Sequence, residues 1–373
     1  MRKILFFLVA AFAITSCKKE IQTNSEQDLQ AQKANGSSVG KPDVIVTTGS
    51  SIQAAINAAS DGSVIQIQPG IYAEAIVVNK PGIKLVGVSN GTTGVIIQNP
   101  GDEENGITVN ANGDGFQLQN VTVKNFEENG VFIIRADNFV LDHVTTINCG
   151  EYGLFPLFCN GGKIEHCTAT GHDDTGIYVG QSSNIDMSFN EAYGNVNGLE
   201  IENCSHVTAT HNQSYDNVDG ILVVLLPGLT VTSSSDIVVS NNHVYNNNHE
   251  NFAEPGGGFE SFVPTGCGIL VVGTDNTVVE NNTVQKNNFL GIAVVSTTVL
   301  GALGGIPPEA FASIEPNPDG TKVRDNVVNT NGTVQPPLPF PASDLLWDGS
   351  GANNCWSSNN YKTSFPASLP ACN

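Results

Sequence analysis

The sequence predicts an all-β chain folded as a parallel β-helix, and the first observation behind this prediction is a repeated Gly-apolar-x-apolar tetrapeptide. Its first six copies start 24, 23, 23, 22 and 22 residues apart, and two more follow after insertions. The copies begin at Gly106, Gly130, Gly153, Gly176, Gly198, Gly220, Gly268 and Gly291. A fixed period in this range is typical of solenoids, in which one repeat cannot bury its apolar side alone.

The second observation is a pair of polar columns in phase with the tetrapeptide. We assign the first column to Asn120, His143, His166, Asn190, Asn212, Asn242, Asn282 and Asn326. We assign the second, five residues later, to Asn125, Asn148, Gly171, Asn195, Asn217, Asn247, Asn287 and Asn331. Period-two runs of β-branched residues between the columns predict three short strands in each coil. Asn tolerates the left-handed backbone of tight turns, and its amide can bond the amide of the next coil.

The ends of the solenoid are also readable. We assign residues 43–335 to the β-helix, which begins at a short amphipathic helix with a Ser cap at residues 51–59. Residues 336–373 begin with several prolines and are assigned to a C-terminal cap. Caps protect the open ends of a solenoid from edge-to-edge association.

The N-terminal residues predict where the protein is located. Arg2 and Lys3 precede a short apolar run that ends at Cys17, which is typical of a secretion signal at residues 1–17. The residues before Cys17 resemble the bacterial lipobox, which implies cleavage there and lipid on the cysteine. Residues 18–42 are polar and predict a flexible tether. We therefore expect an outer-membrane lipoprotein of the cell envelope that meets the membrane only through its lipid anchor.

The eight cysteines are divided by their place in the repeat. Cys355 and Cys372 lie in the irregular tail, where a disulfide would hold the cap, and we predict that they pair. The others within the repeats are expected to be small buried residues, and these are Cys149, Cys159, Cys167, Cys204 and Cys267. No spacing of Cys and His is typical of a zinc site.

Three insertions interrupt the coils, at residues 225–235, 248–266 and 296–320. The first and third leave the repeat just after the Gly-apolar strand, so they should project from the same corner. Long loops on a regular scaffold are common places for binding sites. We expect these loops to contribute to any site on the sheet that they flank.

The charge balance restricts the possible ligands. The chain has 36 acidic and 15 basic residues, and its formal net charge is −21. Nucleic acid is excluded as a ligand on this ground, because neutralising phosphates requires a basic surface. The same charge disfavours a bare acidic glycan unless calcium intervenes.

The strand after each repeated glycine presents an outward column. Its members include Phe132, Phe155, Tyr178 and Glu200, and Glu202 lies two residues further along its strand. Exposed aromatic rings on a parallel sheet would form a platform for sugar rings. The alternative is that an insertion covers the same row. We assign Phe132, Phe155, Glu200, Glu202 and Arg135 to substrate binding.

The turn before this strand carries a polar cluster of His172, Asp173 and Asp174. Asp219 should stack above it, and Tyr178 follows on the strand. Carboxylates in adjacent coils repel one another, so some should bind a cation or have a raised pKa. Asp173 and Asp174 are the candidate calcium ligands, since calcium prefers a shell of many oxygens. The alternative is a solvated acidic turn without a function.

These residue types suit two kinds of polysaccharide chemistry. A lyase or epimerase of acidic polysaccharides needs a charge neutraliser, a base and an acid. Calcium or Arg135 could be the neutraliser, His172 or Lys163 the base, and Tyr178 or Tyr152 the acid. A hydrolase needs two carboxyl groups around the scissile bond, which Asp173 and Asp219 could supply. The sequence does not choose between these two chemistries, and the residues assigned to catalysis are His172, Asp173, Asp174, Tyr178 and Asp219.

Three segments carry a family resemblance: Tyr152-Gly-Leu-Phe-Pro, Asp174-Thr-Gly-Ile-Tyr-Val-Gly-Gln-Ser and Asn197-Gly-Leu-Glu-Ile-Glu-Asn. They resemble exported bacterial proteins with right-handed parallel β-helix repeats and no established activity. The resemblance covers residues 43–335 and implies a right-handed solenoid, an exported address and a second exported protein as partner.

A more distant resemblance concerns the entry to the solenoid, residues 51–85. It is similar to that of pectate lyases, pectin esterases, alginate epimerases and a β-helix protein of copper-site assembly. The signature motifs of the enzymes are absent, so no catalytic residue is carried over from them. Three functions remain open: an enzyme that modifies a polysaccharide, a non-catalytic scaffold that binds glycan or protein, and an accessory protein in periplasmic metal or redox assembly.

Overall fold

The chain winds into a parallel β-helix in which each full coil passes through three sheet faces. The computed structural model describes residues 41–256 and 258–373. The predicted signal peptide, Cys17 and all but the last two residues of the predicted tether lie outside the described residues. Every strand pair between coils is parallel and in register; for example, Leu141 pairs with Ile164, and Ile164 pairs with Met187.

Three faces run along the solenoid, and two strands bend across the corner between the first two faces. Face 1 consists of Val44–Val46, Val64–Ile67, Lys84–Gly87, the first parts of Gln117–Lys124 and Phe139–Ile147, Asn160–Glu165, Ser183–Ser188, Ser205–Thr210, Val238–Ser240, Val278–Glu280, Lys322–Arg324 and Cys355–Ser357. Face 2 consists of Gly70–Ala73, Val95–Gln98, the second parts of the two bent strands, Thr168–Thr170, Glu191–Tyr193, Gln213–Tyr215, His243–Tyr245, Thr283–Gln285 and Val327–Asn329. Face 3 consists of Ile76–Val78, Asn105–Val109, Asn129–Ile134, Leu154–Leu157, Thr175–Gly180, Asn197–Glu202, Asp219–Val224, Cys267–Val272, Leu290–Val295, Ser343–Trp347 and Ser364–Phe365.

Stacked aliphatic side chains fill the interior that the three faces enclose. Val, Ile and Leu dominate this core, and Phe116, Phe126 and Phe139 are its largest fully buried side chains. Successive coils lie about 4.8 Å apart, as in any sheet, so equivalent side chains pack directly on one another. Cys149, Cys159, Cys167, Cys204 and Cys267 are buried and unbridged.

The repeated glycine is required because the backbone of the next coil approaches it closely. A Cβ on Gly220 would lie 2.5 Å from the carbonyl oxygen of Gly268 and 2.8 Å from Asn247 Nδ2. It would also collide with Val244. No side chain fits this space, which explains why the tetrapeptide begins with Gly.

The two polar columns predicted from the sequence each combine two adjacent files of residues. Residues with positive φ turn the corner between faces 1 and 2, and these are Asn120, His143, His166, Phe189, His211, Asn241, Asn281 and Asp325. The residue that follows each of them points inward. From Asn190 onward this inward residue is always asparagine: Asn190, Asn212, Asn242, Asn282 and Asn326. The predicted column was therefore wrong between His166 and Asn190, where it moved from one file to the next.

The inward asparagines form a continuous hydrogen-bonded ladder. In each coil, the side-chain oxygen accepts from both the backbone N–H and the side-chain amide of the preceding asparagine. Asn212 donates to Asn242 Oδ1 at 2.9 and 3.0 Å, and Asn242 donates to Asn282 Oδ1 at 2.9 and 3.0 Å. A second ladder at the next corner begins at Asn195 and ends at Asn331. Left-handed turning and amide stacking are thus performed by neighbouring residues.

Both ends of the solenoid are covered. The helix Ile52–Ala58 lies at the N-terminal end, and its cap Ser51 accepts a hydrogen bond from Ala54 N. In the tail, Cys355 and Cys372 form a disulfide. Strand pairing continues past residue 335, because Ser343–Trp347 pairs with Leu290–Val295 on face 3. The predicted cap therefore includes strands of further coils.

The three insertions fold back over the outer side of face 3. Leu226 from the first, Val263 from the second and Leu300 from the third pack in one apolar cluster with Leu222 and Leu270 of the sheet. The insertions include the helix Thr297–Leu303 and the 3-10 turns Phe259–Phe262 and Pro308–Phe311. Neither of the two α-helices in the described part of the chain is long and apolar enough to cross a membrane. The insertions thus enclose part of face 3 and wall a cleft beside it.

Candidate functional site

An acidic cleft lies where the outer side of face 3 meets the insertions. It consists of two adjoining cavities of about 170 and 320 Å³ that share Tyr152, Asp174 and Glu260. The smaller one is also lined by Glu200, Glu202, Leu226, Pro227, Leu229 and Phe259, and the larger by Gly150, Glu151, Asp173, Phe252 and Glu254. We refer to these residues together as the acidic cleft.

Face 3 places three of the carboxyl groups by register. Glu200 pairs with Tyr178 of the preceding coil and with Leu222 of the following one, so it points outward like them. Glu202 follows two residues later on the same side of its strand. Asp174 stands one residue before the strand Thr175–Gly180 and is 9% exposed. The sequence therefore predicted correctly that Tyr178, Glu200 and Glu202 share the outward side.

Short hydrogen bonds hold these carboxyl groups. Thr175 Oγ1 lies 2.6 Å from Glu200 Oε2 and 3.0 Å from Asp174 Oδ1, and Asn197 Nδ2 donates to Glu200 Oε2 at 3.1 Å. A hydroxyl has one proton, so Thr175 can donate to only one of its two carboxyl neighbours. The other carboxyl group must be protonated to hydrogen bond with it.

The Tyr178 hydroxyl donates to Glu202 Oε1 at 2.6 Å. Burial is the main cause of a rise in the pKa of Glu202 to about 7, and the Tyr178 hydrogen bond opposes it. Burial also raises the pKa of Asp174 to about 7, with a further contribution from the charge of Glu260. The pKa of Glu200 is raised well above its usual value by burial and then by Asp174. The buried carboxyl groups of the cleft are therefore partly or wholly protonated near neutral pH.

No Lys, Arg or His is among the described residues that line the two cavities. Arg135, predicted to bind substrate, stands at a corner with positive φ, and its guanidinium lies 4.5 Å from the ring centroid of Phe158. Protons rather than ion pairs therefore neutralise the buried carboxyl groups. This arrangement contradicts the assignment of Arg135 to the site.

His172 does not face the cleft. It is fully buried, its Nε2 lies 3.0 Å from Thr146 Oγ1, and the backbone N–H of Cys149 lies 3.2 Å from its Nδ1. Burial lowers the pKa of His172 to about 4, so the ring is neutral near pH 7. His172 occupies the inward position that Asn195 takes in the next coil, since Asn195 Oδ1 accepts from His172 N. Its assignment as a catalytic base in the site was wrong.

Asp219 is also separate from the cleft. It pairs in register with Asn197 and Cys267, is fully buried, and has no hydrogen-bond partner for either carboxylate oxygen among the described residues. Burial raises the pKa of Asp219 well above its usual value. The predicted patch of His172, Tyr178 and Asp219 is not formed, because His172 points into the core and Tyr178 points outward.

Asp173 is exposed at the rim of the larger cavity, beside the buried Asp174. Burial of part of its side chain raises the pKa of Asp173. Among the described residues of the cleft, no three carboxyl groups bring one oxygen each within 4.8 Å of one another. The described part of the cleft thus does not bring three carboxyl groups together, and binding of calcium by Asp173 and Asp174 stays a prediction.

The aromatic residues beside the cleft cover one another. The rings of Phe132 and Phe155 are stacked with centroids 4.9 Å apart, and Tyr152 lies 4.3 Å from Phe155 and 5.0 Å from Tyr178. Tyr178 is only 4% exposed. Because the faces of the Phe132 and Phe155 rings meet each other, they do not form a flat exposed platform for sugars. Both rings are half-buried against their aromatic neighbours, so neither an exposed platform nor a row covered by an insertion describes them.

Several site residues were missed by the sequence reasoning. Glu260, Glu254 and Phe252 come from the insertion 248–266, and Thr175 and Asn197 anchor the carboxyl groups. The only available signal was the presence of three glutamates in an insertion next to an acidic turn. The insertion contains no sequence repeat, so its position over face 3 could not be predicted from the sequence.

Comparison with known proteins agrees with this architecture. Residues 105–226 and 224–301 match a family model described as a right handed beta helix region. No curated protein matches the sequence.

Solved structures with the same winding include two A-modules of mannuronan C-5 epimerases from Azotobacter vinelandii. The AlgE6 module is similar with a TM-score of 0.61 and 16% identity over 84% of this chain and 92% of that module. The AlgE4 module has a TM-score of 0.58 and 16% identity over 86% and 95%. A pectate lyase, Pel9A, has a TM-score of 0.51 and 13% identity over 89% and 82%. At such identities, the likeness shows the fold alone.

Proposed function

Because this chain belongs to the right-handed beta helix family, we propose that its acidic cleft binds a polysaccharide and modifies it. The observation that carries the proposal is the group of Asp174, Glu200 and Glu202, which is anchored on face 3 and enclosed by two insertions. Hydroxyl-rich ligands suit such a site, since carboxylic acids both donate and accept hydrogen bonds. Polysaccharide as the ligand class is supported by the similar structures of a mannuronan C-5 epimerase and a pectate lyase.

The charge of the cleft favours an uncharged glycan. Its described lining contains five glutamates and aspartates in the larger cavity and no basic side chain. A uronate would place a further negative charge beside them, at a cost that only a cation could offset. We therefore propose neutral sugar chains as the substrate class, with uronates bound only in the presence of calcium.

The chemistry that the cleft supports best is general acid–base catalysis. A carboxylic acid with a pKa near 7 can donate a proton to a leaving oxygen and, once ionised, accept one from a nucleophile. Asp174 and Glu202 both have a pKa of about 7, and Tyr178 orients Glu202. Both carboxyl groups line the smaller cavity, and hydrolysis needs an acid and a base of this kind. The lyase and epimerase alternatives lack a basic charge neutraliser in the cleft.

A non-catalytic glycan-binding role is the second candidate. The observation that favours it is the burial of Glu200, which is 6% exposed beneath the insertions and held by Thr175 and Asn197. A carboxyl group fixed in this way can act as a hydrogen-bonding anchor without exchanging protons with a substrate.

A glycan panel distinguishes these roles. The full chain is expected to bind a neutral polysaccharide, and Glu202→Gln and Asp174→Asn are each expected to weaken binding about tenfold, equivalent to about 1.4 kcal/mol. Glu127→Gln, the same kind of acid-to-amide substitution at an exposed glutamate, is the matched control and should bind like the wild type. Binding is measured by titration calorimetry, and products are followed as released reducing ends or unsaturated ends.

Each result decides one point. Binding with release of ends supports the enzyme, and binding without release supports the scaffold. Equal affinity of Glu202→Gln, Asp174→Asn and the wild type would show that the glycan does not enter the acidic cleft. Absence of binding to every neutral and uronate polymer, with and without calcium, would contradict the proposal.

We also propose that the protein is held at the outer membrane by lipid on Cys17. In cells fed labelled palmitate, the wild type is expected to carry the label and to sediment with membranes. Cys17→Ser should lose both, because a lipid chain is then missing from the tether. A Cys17→Ser protein that still carries the label would contradict this prediction.

A further inference from the structure

A separate group of ligand atoms converges on the corner between faces 1 and 2. Asp142 and His143 lie in the middle of the strand Phe139–Ile147, and His166 lies directly above His143 in the next coil. His143 and His166 have φ values of 54° and 55°. The left-handed backbone interrupts the alternation of the strand, so Asp142 and His143 both face solvent between the buried Leu141 and Val144.

The two imidazoles aim the same nitrogen at one carboxylate oxygen. Asp142 Oδ1 lies 2.6 Å from His143 Nδ1 and 3.2 Å from His166 Nδ1. The rings are stacked, with centroids 4.8 Å apart and planes inclined by 21°. One ligand atom from each of the three residues lies within 4.8 Å of the other two. Stacking thus holds both nitrogens on the same side, beside the carboxylate.

We propose that Asp142, His143 and His166 bind a divalent transition-metal ion, with zinc as the reference ion. Imidazole nitrogen and carboxylate oxygen are the ligands that zinc takes at about 2.0 to 2.2 Å. Two histidines and one carboxylate make a three-ligand site, and water would complete a tetrahedral shell. In the metal-free protein, each Nδ1 contact with Asp142 Oδ1 is a hydrogen bond that the imidazole donates. The metal would replace these hydrogen bonds, and each neutral ring would then carry its single proton on Nε2.

The surroundings of the group suit a cation that exchanges with solvent. The side chains of His143 and His166 are 47% and 45% exposed, so the open position would face water. One coil above Asp142, Glu165 occupies the equivalent position, and its carboxylate lies 3.5 Å from Lys163 Nζ. The formal net charge of −21 makes the approach of any cation favourable.

The same corner offers an internal control. The positive-φ file continues through Phe189 to His211, whose ring stacks on Phe189 at 4.9 Å. His211 Nδ1 lies 2.9 Å from Thr210 Oγ1, and no carboxylate takes the place that Asp142 has beside His143. A second exposed histidine of the same file therefore lacks the convergent ligand set.

Zinc titration of the tag-free full chain tests the proposal. We expect one zinc ion per chain in calorimetry, with at least a tenfold loss of affinity in His166→Ala and in Asp142→Asn. His211→Ala should bind zinc like the wild type. Cobalt provides an independent readout, since its visible absorption bands report coordination by nitrogen and oxygen and should be lost in His166→Ala.

Two results would overturn the proposal. One is the absence of saturable zinc binding by a wild-type chain whose circular dichroism shows a folded β-helix. The other is equal zinc affinity in the wild type, His166→Ala and Asp142→Asn. The glycan experiments do not depend on either result, because the acidic cleft lies on face 3 and shares none of these residues.

Discussion

Replacing Asn242 with alanine is expected to lower the free energy of unfolding by about 3 to 5 kcal/mol, because it breaks four buried hydrogen bonds. Asn242 Oδ1 accepts from the backbone and side-chain amides of Asn212 at 2.9 and 3.0 Å. Its Nδ2 donates to Ala209 O and Asn282 Oδ1 at 2.9 and 3.0 Å. Alanine leaves these partners buried without water, so each retains its cost of desolvation.

The adjacent Asn241 provides the matched control. It is exposed and has a φ of 57°, which glycine adopts without strain. Asn241→Gly is therefore expected to change stability by less than about 1 kcal/mol. Urea denaturation followed by circular dichroism measures both variants. Equal urea midpoints for Asn242→Ala and Asn241→Gly would show that the ladder contributes little, and that the apolar stack alone maintains the fold.

The fold was largely predictable because its strongest physical constraint recurs in every coil. Gly220 and its equivalents are glycine because a Cβ would meet the next backbone, and this requirement leaves a periodic mark in the sequence. The boundary between turn and ladder was harder to predict. Phe189 adopts a left-handed conformation that its residue type does not indicate. The predicted column therefore placed Asn190, and not Phe189, after His166.

A one-residue error of the same kind, in the second polar column, explains why the assignment of His172 to the site was wrong. Gly171 and Gly194 have positive φ, and the residues after them, His172 and Asn195, point inward. The predicted column passed from Gly171 to Asn195 and so did not include His172. His172 was therefore interpreted as an outward residue that could act as a base. Tyr178, Glu200 and Glu202 were placed correctly, because strand alternation within face 3 is regular.

The walls of the cleft could not be predicted in this way. Glu260 reaches the cleft through the insertion 248–266, whose path depends on apolar contacts with face 3 and not on any repeat. Its presence changes the chemistry, because it adds a negative charge beside Asp174. Register therefore predicts what the sheet contributes, whereas tertiary packing decides which of those groups is enclosed.

Enclosure of Asp174 and Glu202 is expected to make the protein several kcal/mol more stable at pH 5 than at pH 8. In the folded chain, burial raises the pKa of Asp174 from 3.8 to about 7 and that of Glu202 from 4.5 to about 7. Well below about pH 3, both groups are protonated in the folded and unfolded chains alike. As the pH rises, the unfolded chain releases these protons first, so unfolding becomes more favourable until the pH exceeds the folded-state pKa.

The size of the effect follows from the shift in pKa. A difference of 1 in pKa between the folded and unfolded chains corresponds to about 1.36 kcal/mol. Asp174 alone therefore lowers the free energy of unfolding by about 4 kcal/mol between pH 4 and pH 8. Urea midpoints at pH 5, 6, 7 and 8 measure it. Calcium added at pH 8 should restore stability only if the ionised cleft binds the ion, which tests the predicted calcium ligands Asp173 and Asp174 separately.

Removing the two titrating groups distinguishes this cause from general charge repulsion, which also grows with pH in a chain of net charge −21. Asp174→Asn combined with Glu202→Gln is expected to flatten the pH profile and to raise stability at pH 8. Glu127→Gln removes one exposed negative charge and should leave the slope unchanged. If the double variant loses as much stability between pH 5 and pH 8 as the wild type, Asp174 and Glu202 are not held as neutral acids in the cleft. Its proposed role as a proton donor to a glycan would then lose its basis, since an acid that is already ionised at pH 7 has no proton to give.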